Sequence, residues 1–126
     1  MLEEITIVVE DRPGMLAEIG DTLGRSGVNI ETLAAFSLEG RGVVQLVVDD
    51  EEDAAEALKM GGIEVTACRP VLLVTLEDRP GELGRYCRKL ADAGVAISGV
   101  HLSRRGDGET ELIFIVDDIE AAHQAK

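Results

Sequence analysis

Asp11, Arg12, Pro13 and Gly14 stand together in "EDRPGML" at residues 10–16, and the same four types return as Asp78, Arg79, Pro80 and Gly81 in "EDRPGEL" at 77–83. Proline presets φ for a turn, and glycine allows close backbone approach just where a helix begins. The first N–H groups of a helix have no partner within it and point outward, a seat for a carboxylate. Asp11 can accept from an ammonium group and Arg12 can pair with a carboxylate. One small zwitterion would satisfy all of these groups. The same residues also suit a purely structural task, with Asp11 at or near the N-cap and Pro13 in the first helical turn.

Other reactive residue types are sparse. Cys68 and Cys87 have the spacing of neither a zinc site nor a redox pair, and are expected as reduced, buried thiols. His101 and His123 are isolated, whereas a metal site needs several converging ligands. The sequence has no Ser/His/Asp or Cys/His grouping, no phosphate loop and no metal signature, so neither enzymatic activity nor a cofactor is expected.

Charge excludes further classes. Asp and Glu outnumber Lys and Arg by 25 to 12, giving a formal net charge of −13 that repels a phosphate backbone, and with two Phe, one Tyr and no Trp there is little to stack on bases. Nucleic acid is not an expected partner. Neither is a membrane: no apolar run approaches the roughly 18 residues of a spanning helix, and "MLEEITIVVE" lacks the basic start of a signal peptide. A cytoplasmic location is expected.

The turn repeats because the chain does. An offset of 67 carries Asp11 to Asp78, Gly27 to Gly94, Val28 to Val95 and Ile30 to Ile97, the mark of a duplication. Each copy reads as an apolar strand, the turn, a helix, a strand opening at "GVNI" or "GVAI", a hairpin, another apolar strand and an acidic helix start. The first helix sets Leu16, Ile19 and Leu23 on one face, and the second copy matches them with Leu83, Tyr86 and Leu90. Both helices are expected to end at Gly27 and Gly94. "EGRG" at 39–42 and "RRGDGE" at 104–109 are the hairpin signals. Beyond the hairpin the offset becomes 68, which places one extra residue in the second loop. "DDEEDAAEALK" and "DDIEAAHQAK" open with carboxylates suited to a helix N-terminus.

The order βαββαβ predicts an α+β fold: two tandem ferredoxin-like units, each an antiparallel sheet with helices on one face. Unit 1, residues 1–69, closes with a strand at "IEVTAC" (63–68). Unit 2, residues 70–126, lacks that last strand, which leaves its first strand with an open side needing cover by another strand of this protein or a second subunit. Only "RP" at 69 and 70 links the units.

The run "VVEDRPGMLAEIGDTLGRSGVNIETLAAFS", with D-x-P-G-x-L followed by G-V-N-I, resembles the start of an ACT domain, the regulatory module of amino-acid-sensitive enzymes. The resemblance covers nearly the whole chain as two copies. It implies side-by-side pairing of units and amino-acid binding at the seam, between the turn of one unit and the start of the second strand of its neighbour. Carried over, it implicates Asp11, Arg12, Gly14, Met15, Leu16 and Asn29, with a second candidate site at Asp78, Arg79, Gly81, Glu82 and Leu83. Asn29 lies between Val28 and Ile30, and its amide offers a donor and an acceptor to a zwitterion; an alternative task for it is bonding local backbone at the strand end. Ala96 replaces it in the second copy, so the two sites would be unequal. Serine-sensing members carry a histidine two residues before the aspartate, where this chain has Val9 and Leu76; these are core residues or the lining of an apolar side-chain pocket for aliphatic or aromatic amino acids.

The resulting expectation is a non-enzymatic sensor that binds a free amino acid, forms a homodimer and modulates assembly or an amino-acid metabolic enzyme. The alternative is a ligand-independent oligomerisation or protein-docking module.

Overall fold

The computed structural model describes residues 2–125, which fall into two compact units, Met1–Arg69 and Pro70–Lys126. Unit 1 runs β1 (Glu3–Glu10), α1 (Met15–Arg25), β2 (Ile30–Leu38), β3 (Arg41–Val48), α2 (Glu51–Met60) and β4 (Val65–Pro70), with sheet order β2-β3-β1-β4. β3 is antiparallel to both neighbours, with Ile5 opposite Leu46 and Ile7 opposite Val44 on one side and Leu33 opposite Leu46 on the other. Side chains alternate across a strand. Ile5, Ile7, Val44, Leu46 and Val48 therefore share the face that packs on Ile19 and Leu23 of α1 and on Ala54 and Leu58 of α2.

Unit 2 repeats the order as β5 (Leu72–Glu77), α3 (Glu82–Asp92), β6 (Ile97–Gly106), β7 (Glu109–Val116) and α4 (Ile119–Gln124), in a three-stranded sheet β5-β7-β6. Its core joins Leu72, Leu112 and Phe114 of the sheet to Leu90 and Ala122 of the helices. Tyr86 of α3 meets Phe114 edge to face at 5.2 Å between ring centroids. The fold is thus α+β, a ferredoxin-like order written twice with the second copy short of its last strand. In unit 1 that strand lies beside β1; its absence leaves β5 at a sheet edge. No helix among the described residues is long and apolar enough to cross a membrane.

Four details depart from the sequence reading. The extra residue of the second copy does not lie in the hairpin loop. Both hairpins turn on two residues with positive φ, Glu39–Gly40 and Asp107–Gly108, while the β6–β7 register jumps from Leu102↔Leu112 to Arg104↔Glu111 and leaves Ser103 as a bulge with no counterpart in β2. Leu16 and Leu83 are not core residues, being 47% and 48% exposed. β4 begins at Val65, because Gly61 and Gly62 first close α2 and Ile63 folds back to bond Leu58; the strand then runs through Pro70, so only Val71 separates β4 from β5. Cys68 is exposed rather than buried, and donates its thiol to Glu3 Oε2 at 2.8 Å.

Candidate functional site

Each DRPG turn is pinned at two points. Asp11 N–H donates to Gly40 O at 3.1 Å and Asp78 N–H to Gly108 O at 2.9 Å, so the turn is tied to the hairpin tip at its own sheet end. Gly14 and Gly81 then precede the helices at φ 89°, in the left-handed region. A residue with a Cβ pays about 1–2 kcal/mol there. No side chain caps α1, whose N-cap is Gly14, so Asp11 does not perform the capping task that the sequence allowed it, and Pro13 lies before the helix rather than in its first turn. Met15 N–H bonds Arg12 O and Glu18 N–H bonds Gly14 O, which leaves the N–H groups of Leu16 and Ala17 without a partner among the described residues.

Beside this uncapped helix start lies a recess of about 210 Å³. Asp11, Arg12, Met15 and Leu16 form one wall; Ala35, Phe36 and Ser37 of β2 form the other; Val9 and Gly42 lie at its base. Gly42 matters there because a Cβ would only touch Val9 and would stand in the hollow. Arg12 is half exposed and pairs with Glu18 at 3.0 Å, a contact that a competing carboxylate can displace. The recess therefore offers the carboxylate of Asp11, one exchangeable cation, free backbone donors and an apolar side made by Val9, Met15 and Ala35. That is the complement of a zwitterion with an apolar side chain.

The sequence-derived set divides in space. Asp11, Arg12, Gly14, Met15 and Leu16 are at this sheet end, and Val9 both packs against the core of unit 1 and lines the recess. Asn29 is elsewhere: it is exposed just before β2, whereas Phe36 is seven residues farther on, about 23 Å at the usual rise. Asn29 N–H donates to Asp49 Oδ1 at 3.1 Å and its carbonyl accepts from Asp49 N–H at 3.2 Å. Within one unit Asn29 and the turn cannot share a ligand. The β2 and β3 residues, Ser37 and Gly42 above all, went unnoticed in sequence; the available signal was their two-residue distance from the hairpin, which makes them cross-strand partners.

In unit 2 Asp78, Arg79, Gly81, Glu82 and Leu83 occupy the equivalent turn, but their environment is ionic. Arg79 bonds Glu82 at 2.9 Å and Glu77 at 3.0 Å, and Arg105 reaches Asp78 at 3.2 Å. The hydrogen bond to Arg79 holds the Glu82 carboxyl below its ordinary pKa, and the same bond, reinforced by the charge of Glu77, raises that of Arg79. The hollow here is about 170 Å³.

The remaining reactive groups are quiet. Partial burial, the bond to Glu3 and the charges of Glu3 and Glu51 push the Cys68 thiol up to about 12, far from nucleophilic character. Among the described residues no three His, Cys, Asp or Glu side chains converge as a metal-binding group.

Comparison with known proteins bears on this arrangement. No curated protein matches the chain. Among solved structures, protein BT0572 from Bacteroides thetaiotaomicron superposes with a TM-score of 0.87 at 20% identity, covering 99% of this chain and 86% of that one. The regulatory subunits of aspartate kinase from Thermus thermophilus and Thermus flavus superpose at 0.72 and 0.73, each at 20% identity, covering 98% of this chain and 89% and 92% of theirs. At such identities the likeness is one of fold. The family model of the ACT domain matches residues 4–59, from the start of β1 to the last turn of α2. The match to the ACT domain thus falls on most of unit 1, and unit 2 repeats the same ferredoxin-like order.

Proposed function

We propose that the protein is a regulatory amino-acid sensor without enzymatic activity of its own, and that the ligand sits in the recess at Asp11. The observation that carries this reading is the uncapped start of α1 facing a hollow that also holds a carboxylate. In the bound state the ligand's ammonium group lies on Asp11, its carboxylate on the N–H groups of Leu16 and Ala17 with Arg12 released from Glu18, and its side chain against Val9, Met15 and Ala35. Aliphatic or aromatic side chains fit that last contact best. Asn29 joins the site only from another copy of the fold, which makes a homodimer with ligand at its seam the working assembly. Binding then shifts assembly, or contact with an amino-acid metabolic enzyme in the cytoplasm, in proportion to its differential affinity for the two states. A ligand of about nine heavy atoms keeps the affinity modest.

A melting screen against the twenty amino acids tests this. At ten times its Kd a ligand adds about 1.4 kcal/mol, a rise of a few degrees for a chain of this size. Asp11→Ala should abolish the rise and Asn29→Ala should weaken it; no rise with any amino acid ends the proposal. The competing reading, a ligand-independent docking module, draws on the exposed apolar residues of edge strand β2, namely Leu33, Phe36 and Leu38. Light scattering separates the two: a docking module has the same mass with and without the amino acids.

A further inference from the structure

The two turns share a sequence, and each faces a hollow, of about 210 Å³ in unit 1 and 170 Å³ in unit 2, but in the second the aspartate pairs with an arginine of the adjoining strand. Counting back from the hairpin turns, the pair Ser37↔Gly42 in unit 1 corresponds to Arg105↔Thr110 in unit 2. The Ser103 bulge creates this correspondence. With Ser103 unpaired, Leu102 opposite Leu112 and Arg105 opposite Thr110 both fall on the helix side of the sheet, and all four line the second hollow. The guanidinium of Arg105 thereby reaches Asp78, at the place where Asp11 in unit 1 is left facing the recess. Three exchanges at matching positions act in the same direction: Ser37 becomes Arg105, Gly42 becomes Thr110, and Met15 becomes Glu82, which holds Arg79.

We propose that Arg105 is a built-in cation that occupies the ammonium position of the second turn, so that the chain presents one open zwitterion recess, at Asp11, and one that is closed by its own side chain. This rests on the reading of Asp11 as the ammonium acceptor. The duplicated motif is then asymmetric in use: the first copy takes ligand, and the second keeps the turn as a self-satisfied ion-pair network. Selectivity between the copies lies in Arg105 and Thr110, outside the shared motif.

The difference is measurable without knowing the ligand. In the full-length chain, carbodiimide activation with glycine ethyl ester as the captured amine, read residue by residue by mass spectrometry, should label Asp11 several-fold faster than Asp78. Arg105→Gln and Arg105→Ser should each bring the rate at Asp78 up to that at Asp11 while leaving Asp11 unchanged. Both variants are at an exposed position, and circular dichroism verifies that they fold. Equal rates in the unaltered chain, or no change at Asp78 in either variant, overturns the proposal. The twenty-amino-acid melting screen run alongside keeps the two claims apart. A labelling contrast with no melting shift refutes the sensor reading but upholds the closed second turn, whereas a melting shift with no labelling contrast refutes the closed turn alone.

Discussion

Two half-buried or buried ionisable groups sit on strands and pull stability in opposite directions with pH. His101, in β6, has its pKa lowered by burial, so the fold disfavours its charged form. Its contribution is intact above its ordinary value near 6.5 and is lost as pH falls through that value toward the lower folded one. Glu4, only 3% exposed in β1, is the reverse case: burial raises its carboxyl above the usual range, against the smaller opposing attraction of Arg69. Its charge costs stability as pH rises from its ordinary value through the raised one. His101→Gln should therefore gain melting temperature relative to the parent chain between pH 7.5 and 5.5, and Glu4→Gln should gain it between pH 4 and 7. Melting curves at these pH values check both signs, and a pH-independent difference for either variant refutes its assignment. None of this was legible in the sequence, where a histidine among apolar residues shows its position but not its burial.

Elements were far more legible, since their ends are written in local chemistry. α1, α2 and α3 all finish in one pattern, a left-handed Gly27, Gly62 or Gly94 followed by Val28, Ile63 or Val95, whose N–H returns to Leu23, Leu58 or Leu90. The paired aspartates divide their labour twice over. Asp49 and Asp117 hold the backbone at Asn29 and Ala96, while Asp50 and Asp118 cap α2 and α4 through the N–H groups of Asp53 and Ala121. Four of the 25 acidic residues are thus structural. What sequence spacing misplaced was the bulge, because an offset reveals that a residue is added without saying where pairing absorbs it. The hairpins supply the prediction at this scale. Both turn residues have positive φ, which asparagine or aspartate before glycine tolerates and glutamate tolerates poorly; unit 2 has Asp107–Gly108, and unit 1 has Glu39–Gly40. Glu39→Asn should stabilise the chain by roughly 0.5–1 kcal/mol, a fraction of the left-handed penalty, while Asp107→Asn should change it little. Urea denaturation monitored by circular dichroism measures both, and equal effects would remove turn strain as the cause.

For the whole molecule, the duplication at residues 11 and 78 sufficed to read both units, since equal strings at one offset impose equal elements. The recess was only half legible: the turn residues carry a motif, but Ser37 and Gly42 reach the site through β-sheet register, which no local pattern encodes. Among the described residues no strand lies beside β5 as β4 lies beside β1, which makes the units unequal as folding entities. Unit 1 has β4 beside β1 and one continuous core joining four strands to two helices. Unit 2 has β5 unpaired at one side of its own sheet and a last helix of six residues. At 57 residues by its bounds from 70 to 126, it is in the size range where burial is already marginal. Expressed alone, residues 1–69 should melt cooperatively. Residues 70–126 should show no cooperative transition, or should associate through the open β5 edge. Far-ultraviolet circular dichroism melts of the two fragments, with their masses in solution, decide the point. A monomeric 70–126 fragment that melts as sharply as 1–69 would mean that the open side of β5 needs no cover for unit 2 to be stable.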